Sequence, residues 1–352
     1  MRQFLLLVVS FLVLTACESN FDITRYAGNS TVWMSFLPSN DYDTTFFILQ
    51  ATTPLAGTPE PVITSGETVE VQVNGQPLVL EKNYRSLEDR IQYYSTKYEF
   101  EPGDKVETVA SVPGAGTVSA SCVVPELFPN YTWSAKIIPG NGEAKTLIVE
   151  IDYADSGHGG YFGSVVSQYI EVESQREEID TETGEKHWGD IMHSSHIEYL
   201  SPCAMTEIEG LSFDSDDPVT VTPMYFNTLS NNTGDYRRVQ IWSDAFSPSK
   251  AKERRKMTFA SRCYEHPAVR EYHGDDGQLV AWAKTKYKYR LTLYHFSESC
   301  YNYLKAQYNK SHDEFSGLGL APASFVYTNV RGGAGVCGSY LVESSEWVEL
   351  GN

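Results

Sequence analysis

The sequence contains no apolar run long enough to cross a bilayer as a helix. The longest run, from Phe4 to Leu14, is broken only by Ser10 and falls short of the roughly 20 residues that a spanning helix needs. Basic residues are also scarce, since 27 Lys and Arg face 46 Asp and Glu and leave a formal net charge of −19. Nucleic acid is therefore not expected as a partner, because phosphate binding requires clustered Lys and Arg.

Residues 1–17 have the pattern of a lipoprotein signal. Met1-Arg2-Gln3 is a short positive start, the apolar run follows, and Leu14-Thr15-Ala16-Cys17 closes the segment. Such a start, an apolar stretch of this length and small residues before the cut are typical of a secretory signal. Leu at the third position before a cysteine resembles the bacterial lipobox. We therefore expect residues 1–16 to be removed and Cys17 to be acylated, with palmitate as a typical chain; an ordinary signal peptide ending in a chance cysteine is the alternative.

Acylation of Cys17 predicts attachment to a membrane without a spanning helix, because each buried methylene of an acyl chain contributes about 0.8 kcal/mol. Residues 17–22 are then the tether of a soluble folded part. The acidic stretch Glu18-Ser19-Asn20-Phe21-Asp22 is similar to the surface-export signal of Bacteroides-type lipoproteins. The expected location is the outer membrane, lipid-anchored and at the cell surface, with the periplasmic face as the alternative.

Cysteines are few and far apart. The six are Cys17, Cys122, Cys203, Cys263, Cys300 and Cys337. Spacings of roughly forty to eighty residues after Cys122 do not match a zinc knuckle or a Cys-x-x-Cys redox pair. With Cys17 acylated, five thiols remain, which allow at most two disulfides and leave one thiol over. Buried cysteines that act as small hydrophobic residues are the alternative, and the sequence gives no pairing.

Short strands separated by turns dominate the pattern, and 13% of the residues are aromatic, which favours strands. From residue 23 to 125 about seven strands predict an immunoglobulin-like β-sandwich, with Asn74-Gly75 as a hairpin turn. Prolines at 125 and 129 predict a linker. Residues 126–352 are expected to form a larger β-rich domain with one short helix, Ser297 to Tyr308, near the C-terminus. The predicted fold class is therefore mostly β.

Two motifs resemble ligand sites, and each also has a simpler structural interpretation. Gly333 to Gly338 formally matches the dinucleotide fingerprint, but strand-like residues follow it instead of a helix, so we predict a tight turn or bulge. His193 and His196, with Asp190 and Glu198 nearby, could share a metal ion on a helix, whereas on a strand the two imidazoles would point in opposite directions. A polar loop is the simpler expectation.

Three further features also have simple structural interpretations. Asp214-Ser215-Asp216-Asp217 lacks the EF-hand spacing and is expected to be a solvated turn. His158-Gly159-Gly160 resembles an esterase oxyanion stretch, but no Gly-x-Ser-x-Gly elbow accompanies it. Some tryptophans could stack on sugars or peptides, although most are expected in the core: Trp188, Trp242 and Trp282. The sequence thus predicts no catalytic residue, metal site or cofactor, and it assigns no ligand-binding residue.

Together with the lipobox, three segments resemble the Bacteroides-type outer-membrane lipoproteins of the domain-of-unknown-function family four-two-four-nine: Phe100-Glu101-Pro102-Gly103, Tyr301-Asn302-Tyr303-Leu304, and Tyr327 through Val336. The resemblance extends over nearly the whole chain. It departs at Cys337, where an aromatic residue is expected, and at Val106, where tyrosine is expected. Members of that family are commonly encoded beside TonB-dependent transporters, which implies an accessory role in uptake and assigns no catalytic residue.

Three functions follow as hypotheses. The resemblance favours a non-enzymatic outer-membrane lipoprotein that is an accessory to a TonB-dependent transporter in nutrient binding or uptake. A surface hydrolase acting on glycan or peptide would instead place two carboxylates, or a Ser/His pair, in one pocket. A structural or adhesive subunit would expose a sheet edge able to accept a donated strand.

Overall fold

A computed structural model of the protein describes residues 32–51, 66–83, 91–140, 142–154, 159–208, 219–221, 237–243, 254–312 and 327–350. Cys17 and the tether at 17–22 lie outside these residues, as do the acidic turn at 214–217 and His158. The predictions made for those segments therefore stay predictions.

The described chain forms strands β1 (Val32–Phe36), β2 (Thr45–Ala51), β3 (Thr68–Val73), β4 (Gln76–Leu78), β5 (Glu81–Asn83), β6 (Ile91–Thr96), β7 (Lys105–Val112), β8 (Gly116–Val123), β9 (Tyr131–Pro139), β10 (Ala144–Ala154), β11 (Tyr161–Ile179), β12 (Lys186–Trp188), β13 (Met192–Leu200), β14 (Pro202–Ile208), β15 (Val219–Val221), β16 (Val239–Ser243), β17 (Arg254–Tyr264), β18 (Val269–His273) and β19 (Leu279–Phe296), then helix α1 (Glu298–His312), β20 (Ala334–Cys337) and β21 (Tyr340–Ser344). The predicted fold class, mostly β with one short helix near the C-terminus, is confirmed.

The first sandwich packs a sheet of order β20-β1-β2-β6-β5 against a sheet of order β4-β3-β7-β8. Strict alternation explains its core, because every second residue of β7 from Val106 to Val112 points inward and is buried. The β3–β4 hairpin turns at Asn74 and Gly75, whose φ angles of 53° and 75° are those of the predicted Asn-Gly turn.

A strand from the far end of the chain completes this first sandwich. β20 lies parallel to β1, with Trp33 opposite Ala334 and Phe36 opposite Cys337. The backbone of Gly335 passes so close to β1 that a Cβ atom there would lie 1.8 Å from the carbonyl oxygen of Met34. The turn lies at Gly332 and Gly333, and Ala334–Cys337 form a strand, so the prediction of a turn or bulge over Gly333 to Gly338 is wrong for most of the motif. The proposed division of the chain at residue 125 stays a prediction.

The second sandwich packs a sheet of order β14-β17-β10-β9 on a larger sheet whose main path is β15-β16-β11-β19-β18. Strands β12 and β13 pair with β11, and β21 pairs with β19. Alternating residues of β10, among them Leu147, Val149 and Ile151, meet Leu291 and Leu293 of β19 in the core between the sheets. Trp242 is fully buried there.

Helix α1 covers the other face of the large sheet. Ser297 caps its first turn through a 3.3 Å hydrogen bond from the Cys300 backbone N–H to the Ser297 Oγ atom. Cys300, Tyr301 and Leu304 are buried in a core that also contains Leu37 from the segment after β1 and Val336 of β20. The helix therefore joins the two sandwiches. No helix within the described residues has the length and apolar character needed to cross a membrane.

Candidate functional site

The structure separates the histidines that the sequence singled out. His193 and His196 both lie on β13, so their odd spacing directs the two imidazoles to opposite faces. The Nε2 atom of His196 lies 3.3 Å from the Oε1 atom of Glu198. The described ranges contain no group of three or more His, Cys, Asp or Glu side chains placed to hold a metal ion.

The three tryptophans have different environments. Trp242 belongs to the core, whereas Trp188 is 42% exposed on the short strand β12. Trp282 is half-buried, and its indole N–H donates a 3.2 Å hydrogen bond to the Gln175 side chain. Trp188 therefore has the most exposed ring of these three.

A cavity of about 590 Å³ lies at one end of the second sandwich. Four segments line it: the start of β10 with the residues before it (142–145), the residues after β17 (265–268), the middle of β19 (285–287) and the C-terminal residues 349–350. Proteins bind small molecules in concave sites of this size that combine apolar walls with a few fixed polar groups. This cavity is therefore the candidate binding site.

A buried carboxylate lies at the base of the cavity. Glu265 is 8% exposed, and its Oε2 atom accepts a 2.6 Å hydrogen bond from the Nζ atom of Lys145. Its Oε1 atom accepts a hydrogen bond from the Tyr289 hydroxyl, which in turn accepts a 3.0 Å bond from the Gln168 amide. Because both carboxylate oxygens are occupied, Glu265 is held as a fixed structural charge.

Burial, and then the hydrogen bond to Glu265, raise the pKa of Tyr289 far above its ordinary value. Burial likewise raises the pKa of Tyr287, although its hydroxyl accepts a 2.8 Å hydrogen bond from the backbone N–H of His266. Both phenols are therefore protonated at neutral pH. They act as hydrogen-bonding groups and not as bases.

Two further groups define the mouth and wall of the cavity. At the mouth, the Nδ1 atom of His266 lies 2.6 Å from the Oε1 atom of Glu143, and both side chains are more than a third exposed. In the wall, Thr285 is 4% exposed and its hydroxyl has no hydrogen-bond partner within the described part of the chain. A buried hydroxyl without a partner is costly, and because the Thr285 Oγ1 atom has almost no exposed surface, a ligand in the cavity reaches it only if neighbouring side chains shift.

The opposite face of the same sheet carries a second, smaller depression of about 370 Å³. Glu171 and Glu173 on β11 line it, and their carboxylates pair with lysines of the neighbouring strand β19. The Nζ atom of Lys288 lies 3.2 Å from Glu171, and that of Lys284 lies 3.8 Å from Glu173. These charges are already paired across the strands. The cavity at Glu265 therefore presents the better-formed set of polar groups.

The lining determines which chemistry the cavity can perform. Its described lining contains no serine or cysteine, so a Ser/His or Cys/His pair is not assembled from those residues. It does contain three carboxylates, from Glu143, Glu265 and Glu349. The arrangement is thus suited to holding a polar molecule by hydrogen bonds.

Sequence reasoning missed this site. Lys145 and Glu265 are 120 residues apart, and they meet because β10 and β17 pair along their whole length, with Ala144 opposite Tyr264. No local spacing encodes that meeting. The one available signal was the polar pair Glu265-His266 directly after a strand-like run, which is where binding residues are often placed.

The model of a family described as "Domain of unknown function (DUF4249)" matches residues 21–346. A search of curated proteins found no similar protein.

Proposed function

Since the chain belongs to the family DUF4249, a domain of unknown function, we propose its function from its own residues. We propose a non-enzymatic, Bacteroides-type outer-membrane lipoprotein, anchored through acyl chains on Cys17 at the cell surface. It binds a small polar nutrient in the cavity at Glu265 and is an accessory to a TonB-dependent transporter.

The observation that carries the binding part of this proposal is the cavity itself, whose lining places charged and polar side chains beside an aromatic ring. Around it, Lys145 supplies donors, Glu143 and Glu349 supply acceptors, and Tyr287 supplies a half-buried aromatic ring. A ligand that carries both donors and acceptors on a compact frame, such as a short glycan or peptide, satisfies these groups.

The anchoring part of the proposal rests on the lipobox at Leu14-Thr15-Ala16-Cys17. Two or three acyl chains on one residue hold a protein at a membrane without a spanning segment. The net charge of −19 would repel anionic lipid, so the acyl chains carry the attachment. Replacement of Cys17 by alanine is expected to release the protein from the membrane fraction, and retention would contradict the lipid anchor.

A single capture experiment tests the transporter part. The lipidated protein is used as bait in detergent-extracted outer membrane, with the Cys17→Ala variant as the matched control, and retained proteins are identified by mass spectrometry. Recovery of a TonB-dependent transporter in near-stoichiometric amount supports the proposal. If no transporter is retained, the accessory role is wrong.

Binding at the cavity is tested separately with maltotriose and trialanine as probes, by calorimetry on the Cys17→Ala protein. Glu349→Met keeps the length of the side chain and removes both carboxylate acceptors from the lining, and we expect it to weaken binding about tenfold, the usual effect of one lost hydrogen bond to a ligand. Glu70→Met, at an exposed position on β3 of the other sandwich, is the control and should bind normally. Equal binding by both variants would exclude the cavity.

Hydrolysis of glycan or peptide is the second candidate function, because three carboxylates line one cavity. It predicts cleavage of the same probes by the purified protein and loss of cleavage in Glu143→Gln. Cleavage together with failure to retain a transporter would replace the binding function with an enzymatic one.

A further inference from the structure

Two cysteines from opposite ends of the chain meet in the first sandwich. Cys122 lies on β8 and Cys337 is the last residue of β20, and their Sγ atoms are 3.6 Å apart. The strands belong to the two facing sheets, with β8 at the edge of one and β20 at the edge of the other. Both residues are free thiols in this structure.

We propose that Cys122 and Cys337 form a disulfide that fastens the C-terminal strand β20 to the N-terminal sandwich. A disulfide bond is about 2.05 Å long, so the two sulfur atoms need to approach by about 1.5 Å from their present separation, a movement within the range of small side-chain rotations. This inference rests on the proposed export, because an oxidising compartment is where such bonds persist.

The surroundings fix this pair in place before any bond forms. The Asn329 side chain donates a 2.7 Å hydrogen bond to the Cys337 carbonyl oxygen and accepts a 3.0 Å bond from the Cys337 backbone N–H. On the other side, the Ser339 hydroxyl donates a 2.9 Å bond to the carbonyl oxygen of Val123, next to Cys122. Side-chain hydrogen bonds therefore hold the backbone next to both sulfur atoms in place.

The oxidation balances with an external disulfide as the acceptor. The two thiols lose two protons and two electrons as the Sγ–Sγ bond forms, and the disulfide of a thiol oxidase or of oxidised glutathione is reduced to two thiols. Cys122 is half-buried, whereas Cys337 is fully buried. The oxidant therefore forms its mixed disulfide with Cys122, and the Cys337 sulfur then attacks that disulfide and displaces the oxidant's thiol.

The environment also predicts that this reaction is slow in the folded protein. Contact with the Cys122 sulfur, and then burial, raise the pKa of the Cys337 thiol well above its ordinary value. Because the thiolate is the attacking species, little of it is present at neutral pH. The bond is thus expected to form during folding or to form faster as pH rises.

Two other cysteines whose side chains the structure describes are less suited to this role. Cys263 lies in the core of the second sandwich. Cys300, on helix α1, is fully buried, and burial and then the nearby Cys122 raise the pKa of its thiol. Cys300 is therefore the competing partner for Cys122, and the experiment has to distinguish the two pairings.

The test uses the full chain with Cys17→Ala, reduced and then incubated with oxidised glutathione at pH 8.5, followed by peptide mapping without reductant. We expect a peptide pair joined through Cys122 and Cys337, and a melting temperature higher than that of the reduced protein by roughly 5–10 °C, because the bond closes a loop of 215 residues. Cys337→Ser should lose both effects, whereas Cys263→Ala should keep the link. A Cys122–Cys300 peptide, or thiols that remain free at Cys122 and Cys337, would overturn the proposal.

The same mapping on protein extracted from native outer membrane separates the pairing from the location. A Cys122–Cys337 link in both samples supports both proposals. If the protein is recovered from the outer membrane without the link, the disulfide in the exported protein is overturned while the proposed location stands. If the protein is missing from the outer membrane, the proposed location is overturned, and the glutathione experiment still decides the pairing. Free thiols in the glutathione experiment overturn the disulfide wherever the protein resides.

Discussion

Replacement of Lys145 by methionine is the sharpest perturbation of the candidate site. The lysine donates to the Oε2 atom of Glu265 at 2.6 Å, and the two side chains are 23% and 8% exposed. Methionine keeps most of the apolar stem and removes the charge. Glu265 is then left with the Tyr289 hydroxyl as its remaining described side-chain donor.

The cost follows from the burial of the pair. Removing one partner of a fully buried ion pair costs about 3–5 kcal/mol. Since Lys145 is partly exposed and Tyr289 still donates to the carboxylate, we expect a loss of about 2 kcal/mol in the free energy of unfolding. The matched control is Lys136→Met on the adjacent strand β9, because Lys136 pairs with Glu150 at 3.8 Å with 67% and 56% of the side chains exposed. That pair is expected to contribute less than about 0.5 kcal/mol.

Urea unfolding followed by tryptophan fluorescence measures both variants. The double variant Lys145→Met with Glu265→Gln removes the orphaned charge and should recover at least half of the loss. If Lys145→Met is no more destabilising than Lys136→Met, Glu265 is not held as a buried charge, and the description of the cavity floor is wrong.

Three further predictions concern backbone geometry and pH. Gly335→Ala places a Cβ atom 1.8 Å from the Met34 carbonyl oxygen at a φ of +111° and should lower the free energy of unfolding by about 3 kcal/mol. The control Gly142→Ala, at a φ of +66° with no atom within 4 Å, should lower it by about 1 kcal/mol. Equal urea midpoints for the two variants would refute the close approach of β20 to β1. Burial, and then Cys300, raise the pKa of Tyr303 from 10.0 to about 12. Because the folded state keeps this proton longer than the unfolded state, stability that is present below pH 10 is lost between pH 10 and about 12, by about 2 kcal/mol. Tyr303→Phe should flatten the decline of the urea midpoint over this range, and an unchanged slope would contradict the prediction. Burial lowers the pKa of His295 below 6.5, so the unfolded chain binds the proton first and stability falls as pH drops through 6.5. The melting temperature of His295→Gln should therefore change less between pH 7.5 and 5.5 than that of the parent protein. Equal changes would count against burial of a neutral imidazole.

The elements that the sequence could predict are those encoded locally. The Asn74-Gly75 hairpin needs only two residues that tolerate positive φ, and the start of helix α1 needs only Ser297 in front of an amphipathic segment. Alternation within single strands was sufficient for the mostly β class. The helix extends to His312, beyond the predicted end at Tyr308, because helix ends have weak local signals.

The elements that escaped prediction depend on pairing between distant segments. Nothing in residues 334–337 indicates that they lie parallel to β1, and their glycines, interpreted alone, favour a turn. The cavity was missed for the same reason, since the register of β10 against β17 brings Lys145 to Glu265. In both cases the fold depends on which two backbone segments pair, and the side-chain periodicity of one segment does not identify its partner.

The position of β20 has a consequence for the order in which the protein can be built. The first sheet is missing its edge strand until residues 334–337 have been synthesised, so a ribosome must nearly complete the chain before the N-terminal half can reach its final state. Contacts over such a distance are slow to form. Late completion of the first sandwich is compatible with the proposed export, in which the chain passes a translocation channel as an extended polypeptide. For the same reason, a fragment that stops at residue 125 is expected to expose an unpaired edge on β1 and to aggregate.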